Sequence, residues 1–431
     1  MARRLFKGGQ VIDPLAGRIY RADVLVTDGV IYSVDRRLTA TGAETIDCRD
    51  RLLAPGFVDL HCHLREPGRE DEETIVSGAR AALAGGFTHL CPMPNTEPPI
   101  DSESLVRFLL RRAEDAGLCQ LHPVGSCTRG RQGKELAEIG AMRAAGCVAI
   151  SDDGDWIADS LLMRNVLEYA KTFDLVVMSH CELAEFRHGT ASEGIIATRF
   201  GLEPVPAAAE AAAAARDILL AELTGSRLHI CHVSAAATVD LIRWAKARRI
   251  AVTAETCPHY LALTEESLDS DWNRALDSNY RVNPPLRSET DRRSLIAGLA
   301  DGTIDAIATD HAPHSREEKE VEFSAAPPGI IGFQTAFSLG YETLVLTQTL
   351  TLPDYISRLS SVPARIIGLT PPAIIPEAPA DFVILDPAAS WTFTPADNLS
   401  LSSNSPFFGR KLRGKICATV LGDRLFVSQR S

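Results

Sequence analysis

The chain predicts an α/β fold: a (β/α)8 TIM-type barrel with a small composite β-domain built from its N- and C-terminal segments. Three observations lead there. Eight short apolar runs recur between residues 57 and 313. Stretches of helical character separate most of them, the mark of parallel βαβ units. Nearly every run ends in polar, chemistry-bearing side chains. A doubly wound open sheet would gather such residues at one switch point instead.

In chain order, residues 5–53 read as short strands with turns, and Asp28-Gly29 between Val24-Leu25-Val26 and Val30-Ile31-Tyr32 marks a hairpin. The barrel strands are expected in Phe57–Leu64, Thr88–Asn95, Leu121–Cys127, Cys147–Gly154, Leu175–Glu182, Arg227–Ser234, Ala251–Tyr260 and Ile304–Pro313. Helical character appears in Glu73–Ala84, Ser102–Ala116, Leu136–Ala145 and Ser160–Tyr169. The alanine-rich stretch Pro206–Leu223 reads as one more helix against the barrel wall, on propensity alone. The proline-rich stretch Pro371–Pro379 marks the exit from the barrel, and residues 380–429 return to strands such as Asp381-Phe382-Val383-Ile384-Leu385. Neither flank is long enough for a robust core, so the two are expected to pair. This places residues 1–54 and 372–431 in the small domain and 55–371 in the barrel.

Composition narrows the function. The chain has 431 residues, 45% hydrophobic and 23% charged, as expected of a globular enzyme. Its formal charge of -12, with dispersed acids, argues against non-specific nucleic-acid binding. The cysteines are scattered without a C-x-x-C pair and read as reduced thiols of a cytoplasmic protein. The N-terminus has no apolar h-region, and no run is long enough for a membrane span.

The most telling stretch is His61-Cys62-His63-Leu64-Arg65 at the end of the first apolar run. On a strand, i, i+2 spacing puts both imidazoles on one face and Cys62 on the other. Arg65 is expected on that same face, where it could meet an anionic substrate. Later runs supply Asp153, His180, His232 and Asp310 at or near their ends. Singly, each has a bland reading as a hydrogen-bonded rim or turn residue. Together, four histidines and two aspartates at one barrel mouth suit divalent ions such as Zn2+. They exceed one tetrahedral site; two ions sharing a bridging carboxylate would use all six. His229 is expected to face away, as is Asp152, and His89, His122 and His188 lack ligand company.

At this point the chain resembles a known family. His61-Cys62-His63-Leu64-Arg65-Glu66-Pro67-Gly68, Met93-Pro94-Asn95-Thr96, Ser151-Asp152-Asp153-Gly154, His232-Val233-Ser234, Asn283-Pro284-Pro285-Leu286-Arg287 and Ala308-Thr309-Asp310-His311-Ala312-Pro313-His314 look like the amidohydrolase superfamily and, more narrowly, the bacterial class I dihydroorotases. The resemblance spans essentially the whole chain. It implies reversible, zinc-dependent cyclisation of N-carbamoyl-L-aspartate to dihydroorotate in pyrimidine biosynthesis. It also implies that His61 and His63 hold one zinc, His180 and His232 a second, and Asp153 bridges, where related cyclic amidases often have a carboxylated lysine. Asp310 would ligate metal and act as general base and acid. Arg65, Asn95 and His314 would hold the substrate carboxylate, and His63 would also contact the substrate. Asn283 and the backbone at Pro328 and Gly329 would contact the ring. A homodimer is implied, and some relatives assemble with aspartate transcarbamoylase.

Two alternatives are weighed against this. A hydantoinase or allantoinase would usually present a lysine near the fourth strand, where this chain reads Ile150-Ser151-Asp152-Asp153-Gly154. A non-catalytic assembly scaffold would lack metal histidines, whereas this chain keeps all of them. One departure from the family pattern is Gln334, where many members carry an acid; it is expected outside the metal shell.

Overall fold

A computed structural model describes residues 3–269 and 275–428; the outermost residues of the expected small domain, 1–2 and 429–431, lie outside the described residues. The first barrel strand, Phe57–Cys62, pairs in parallel with Phe87–Pro92, and that strand with Gln120–Leu121. The ladder resumes at Val124–Gly125 and runs through Ala149–Ile150, Val176–Ser179, Leu228–Ile230 and Val252–Thr256 to Ala306–Ile307. A parallel bridge between Cys62 and His311 closes the barrel. The third strand is split where Pro123 removes a backbone donor, so the expected single run Leu121–Cys127 becomes two short pieces.

Inside the barrel, Val58, Leu60, Cys91, Met93, Val124, Ala149, Val176, Met178, Ala306 and Ala308 form a filled core. The mouth is therefore the place for a site, not a pore. The helices are set by local chemistry. Thr74 and Ser77 form a capping box, so the first helix starts at Ile75 and leaves Glu73 outside it. The alanine-rich helix Ala207–Thr224 buries Ala209, Ala211, Ala213 and Ala214 and ends at Gly225, whose φ of 64° suits a left-handed cap.

Both chain ends build the β-domain. Its six-stranded sheet runs Arg424–Val427, Lys411–Leu421, Asp381–Thr392, Leu52–Pro55, Gln10–Asp13 and Arg18–Arg21. Its four-stranded sheet contains the hairpin turn at Asp28-Gly29, whose φ values of 48° and 79° fit a tight two-residue loop. Phe6 and Phe382 meet edge to face at 5.0 Å in its core. Two of the histidines without ligand company, His89 and His122, have a different use. His89 Nδ1 lies 2.9 Å from His122 Nε2, and His89 Nε2 lies 2.7 Å from Asp381, tying the second barrel strand to the β-domain.

Candidate active site

The regular strands end early. The fourth and eighth keep two residues each, and the expected runs Cys147–Gly154 and Ile304–Pro313 finish as irregular backbone. That irregular rim carries the site. Three of its non-glycine residues are left-handed: Arg65 (φ 60°), His232 (φ 34°) and Asp310 (φ 46°). Such conformations are costly for residues with a Cβ and gather at functional sites. They also correct the expectation for Arg65. Its direction comes from a left-handed turn beyond Cys62, not from strand alternation.

Asp310 is anchored to the first strand. Its N–H donates to His61 O at 2.9 Å, and neighbouring Thr309 donates its N–H (2.9 Å) and hydroxyl (2.5 Å) to buried Asp59. The six expected ligands converge. Asp153 Oδ1 lies 3.3 Å from His61 Nε2, 3.5 Å from His232 Nε2 and 3.7 Å from His180 Nδ1, while its Oδ2 lies 3.7 Å from His63 Nε2. Asp310 Oδ1 lies 3.1 Å from His63 Nε2 and 3.6 Å from His61 Nε2. His180 Nδ1 and His232 Nε2 approach to 2.9 Å. His61 Nε2 and Asp153 Oδ1 are buried yet have no hydrogen-bond partner. Unpartnered buried polar atoms are costly, and a divalent ion is the partner this N/O set suits. The residues therefore fit the metal that the fold family implies.

The electrostatics agree. Burial would raise the pKa of Asp310, yet the His63 hydrogen bond and the nearby His61 hold it below the ordinary carboxylate range. Burial and the histidines compete in the same way at Asp153, again with the histidines winning. Both side chains are thus poised as anions.

Beside the ligands lies a cavity of about 210 Å3, lined by His63, Arg65, Asn95, Asp153, Gly154, His180, His232, Asn283, Asp310, Ala312, His314, Pro328 and Gly329. Every residue expected to touch substrate is on its wall. Asn95 Oδ1 is 2.8 Å from His63 Nδ1 and turns that imidazole. Asn283 Nδ2 is 3.4 Å from Glu182 Oε2. Arg65 donates through Nε to Pro313 O at 3.0 Å and pairs with Glu72 at 3.1 Å, and its Nη2 is 3.2 Å from His314 Nε2. His314 Nδ1 is 2.8 Å from Glu72. Since a carboxylate only accepts, Nδ1 donates to Glu72, and Nε2 lies 3.2 Å from Arg65 Nη2 and 3.0 Å from Pro328 O. Burial and the Arg65 cation push the His314 pKa down to about 2.

Sequence reasoning left several supporting residues unassigned. Glu255 lies 3.1 Å from His61 Nδ1 and 3.2 Å from His229 Nε2. His229 does face away from the cavity, but it props the carboxylate behind a ligand. Arg131 donates to the Asp153 carbonyl and pairs with Asp155 at 2.9 Å, holding the turn that carries Asp153. Glu255 was visible as a polar strand end; its pairing across strands was not. Asp152 turns from the site to accept the backbone N–H groups of Cys127 and Thr128. Gln334 sits apart, accepting from Leu399 N at 2.8 Å and donating to Asp397 O at 2.7 Å. An ionised carboxylate could not donate to Asp397 O, which gives a local reason for Gln there.

Barrel, converging histidines and carboxylates, and a small polar cavity together define a cyclic amide hydrolase of the amidohydrolase superfamily. A Dihydro-orotase-like family model matches residues 50–238. The chain is 46% identical over 427 residues to a dihydroorotase of Pelotomaculum thermopropionicum, covering 99% of each. It is 47% identical over 421 residues to one of Anaeromyxobacter dehalogenans, covering 97% of this chain and 96% of that one. Among solved structures it resembles an L-hydantoinase from Arthrobacter aurescens (TM-score 0.86, 23% identity, 100% and 97% covered). A dihydropyrimidinase from Brevibacillus agri is similar (TM-score 0.85, 23% identity, 99% and 95% covered), and at this identity both show the fold alone. The chain belongs to the dihydroorotase family.

Proposed function

We propose that this protein interconverts N-carbamoyl-L-aspartate and dihydroorotate. The observation that carries the reading is one cavity lined by Arg65, His314 and five of the six convergent metal-type donors. We assign His61, His63, His180, His232, Asp153 and Asp310 as the residues that would hold two zinc ions. Bound there, divalent ions supply Lewis-acid polarisation of the amide carbonyl and a water of lowered pKa.

The chain's own groups do the rest. The Asp310 carboxylate takes a proton from the attacking water and passes it to the ring nitrogen as the C–N bond breaks; cyclisation runs the same steps backwards. Arg65 binds the substrate carboxylate, and Glu72 and His314 hold its guanidinium in place. Asn95 and Asn283 offer amide contacts at the cavity wall. No helix among the described residues is long and apolar enough to cross a membrane, and we place the enzyme in the cytoplasm, acting as a homodimer on a small-molecule substrate. The test is a direct assay of metal-analysed protein with dihydroorotate, carbamoyl aspartate and hydantoin. Turnover of hydantoin with none of dihydroorotate would overturn the assignment.

A further inference from the structure

The cavity wall opposite the ligands is Pro328-Gly329, part of a segment with no helix and little strand character. A second cavity of about 400 Å3 is bordered by Lys319, Asn404 and His314, and His314 lines both cavities. Side chains from three other segments hold the wall. Lys319 Nζ donates to Pro327 O at 2.9 Å and is 3.4 Å from Gly329 O. Asn404 Nδ2 donates to Gly329 O at 3.0 Å and to Ala312 O at 2.9 Å. Arg281 Nη1 donates to Phe323 O at 3.1 Å, to Ser324 O at 2.6 Å and to Ala326 O, and the Arg281 carbonyl accepts the Gly329 N–H at 2.8 Å. The Pro328 carbonyl lies 3.0 Å from His314 Nε2.

Two details argue that the arrangement is more than filler. Lys319 is only 5% exposed, yet among the described residues no carboxylate forms an ion pair with it. Burying an amine on backbone carbonyls alone costs free energy that an apolar side chain of similar length would avoid. Gly329 has a φ of 154°, and a Cβ there would meet Ala312 O at 2.6 Å. The wall is thus pressed against the Asp310 rim as closely as a glycine allows.

We propose that Lys319, Arg281 and Asn404 are positioning residues that hold Ala326–Gly329 as the substrate-facing wall, and that they govern binding of the cyclic substrate rather than its turnover. This rests on the dihydroorotase reading of the site. The experiment compares wild type, Lys319→Met, Lys319→Gln and Asn404→Leu as metal-loaded enzymes with dihydroorotate. Lys319→Met and Asn404→Leu should each raise KM about tenfold, the effect of one lost hydrogen bond, with kcat within about threefold of wild type. Lys319→Gln keeps a donor and should fall between wild type and Lys319→Met. Metal content should be unchanged, and Tm should not fall in Lys319→Met, where a buried amine is relieved. An unchanged KM in the folded variants, or a kcat loss that follows a loss of Tm, would overturn the clamp. If Lys319→Met does not fold, the other two variants decide by the same criteria. A wild type that does not turn over dihydroorotate would instead overturn the functional reading.

Discussion

Glu255 Oε1 lies 3.1 Å from His61 Nδ1, and both side chains are fully buried. The contact fixes His61 with Nδ1 protonated, so its Nε2 lone pair faces Asp153 and the site centre. Burial would raise the Glu255 pKa, but His229 and His61 together hold it at about 2, so it is an anion at any working pH. Glu255→Gln keeps the shape and removes the charge that makes His61 a strong donor. Metal affinity should fall by about 10-fold or more, the usual effect of losing a partner behind a ligand. Metal content after dialysis against a competing chelator, read beside wild type, checks this; equal retention would make Glu255 a packing residue only.

Turnover should depend on bound divalent metal. Exhaustive chelation, or His61→Ala with His63→Ala, should abolish activity while circular dichroism still reports a folded barrel. Full activity in protein shown by elemental analysis to be metal-free would sink the proposed mechanism.

Much of this site was legible because chemistry-bearing residues sit at strand ends, where period and position can be read directly. The HxH pair, Asp153, His180, His232 and Asp310 are all visible that way. Their supports are not. Glu255 reaches His61 across 194 positions of chain, and Glu72 reaches His314 across 242. No local pattern encodes such pairings. The runs were also read as longer strands than form, because apolar character continues past the last ladder bond. Thus Arg65 reaches the cavity by a left-handed turn that alternation could not foresee.

Asp310 should carry the proton. Asp310→Asn should lower kcat by at least about 100-fold, the scale of general acid–base catalysis. Because Asp310 also sits within 3.1 Å of His63, metal content must be measured on the same sample. Near-normal kcat with metal in place would remove Asp310 from proton transfer.

Lys319 should leave a mark on stability. Burial, helped by Arg281, pushes its pKa from 10.5 down to about 7. Between those values the unfolded chain holds a proton that the native protein does not. Stability attributable to Lys319 therefore rises with pH from about 7 toward 10.5. Other groups titrate in that window, so the comparison is with Lys319→Met. The denaturation midpoint of wild type, relative to the variant, should climb between pH 7 and 9. Parallel curves would contradict a depressed lysine.

Arg65 should set specificity. Arg65 is 9% exposed and lines the cavity beside His63 and Asn95, and its guanidinium is held by Glu72 and Pro313 O. A carboxylate left unpaired in such a site costs about 2–5 kcal/mol. Arg65→Ala should therefore lower kcat/KM for dihydroorotate by about 30-fold or more. Dihydrouracil lacks the carboxylate, so its poor turnover should change much less. Arg65 also ties Glu72 to the rim, and a purely structural anchor would hurt both substrates alike. Measuring both on wild type and variant at matched metal content separates the two roles. Equal losses would leave Arg65 a structural residue, and a wild type preferring dihydrouracil would point to hydantoinase-like chemistry.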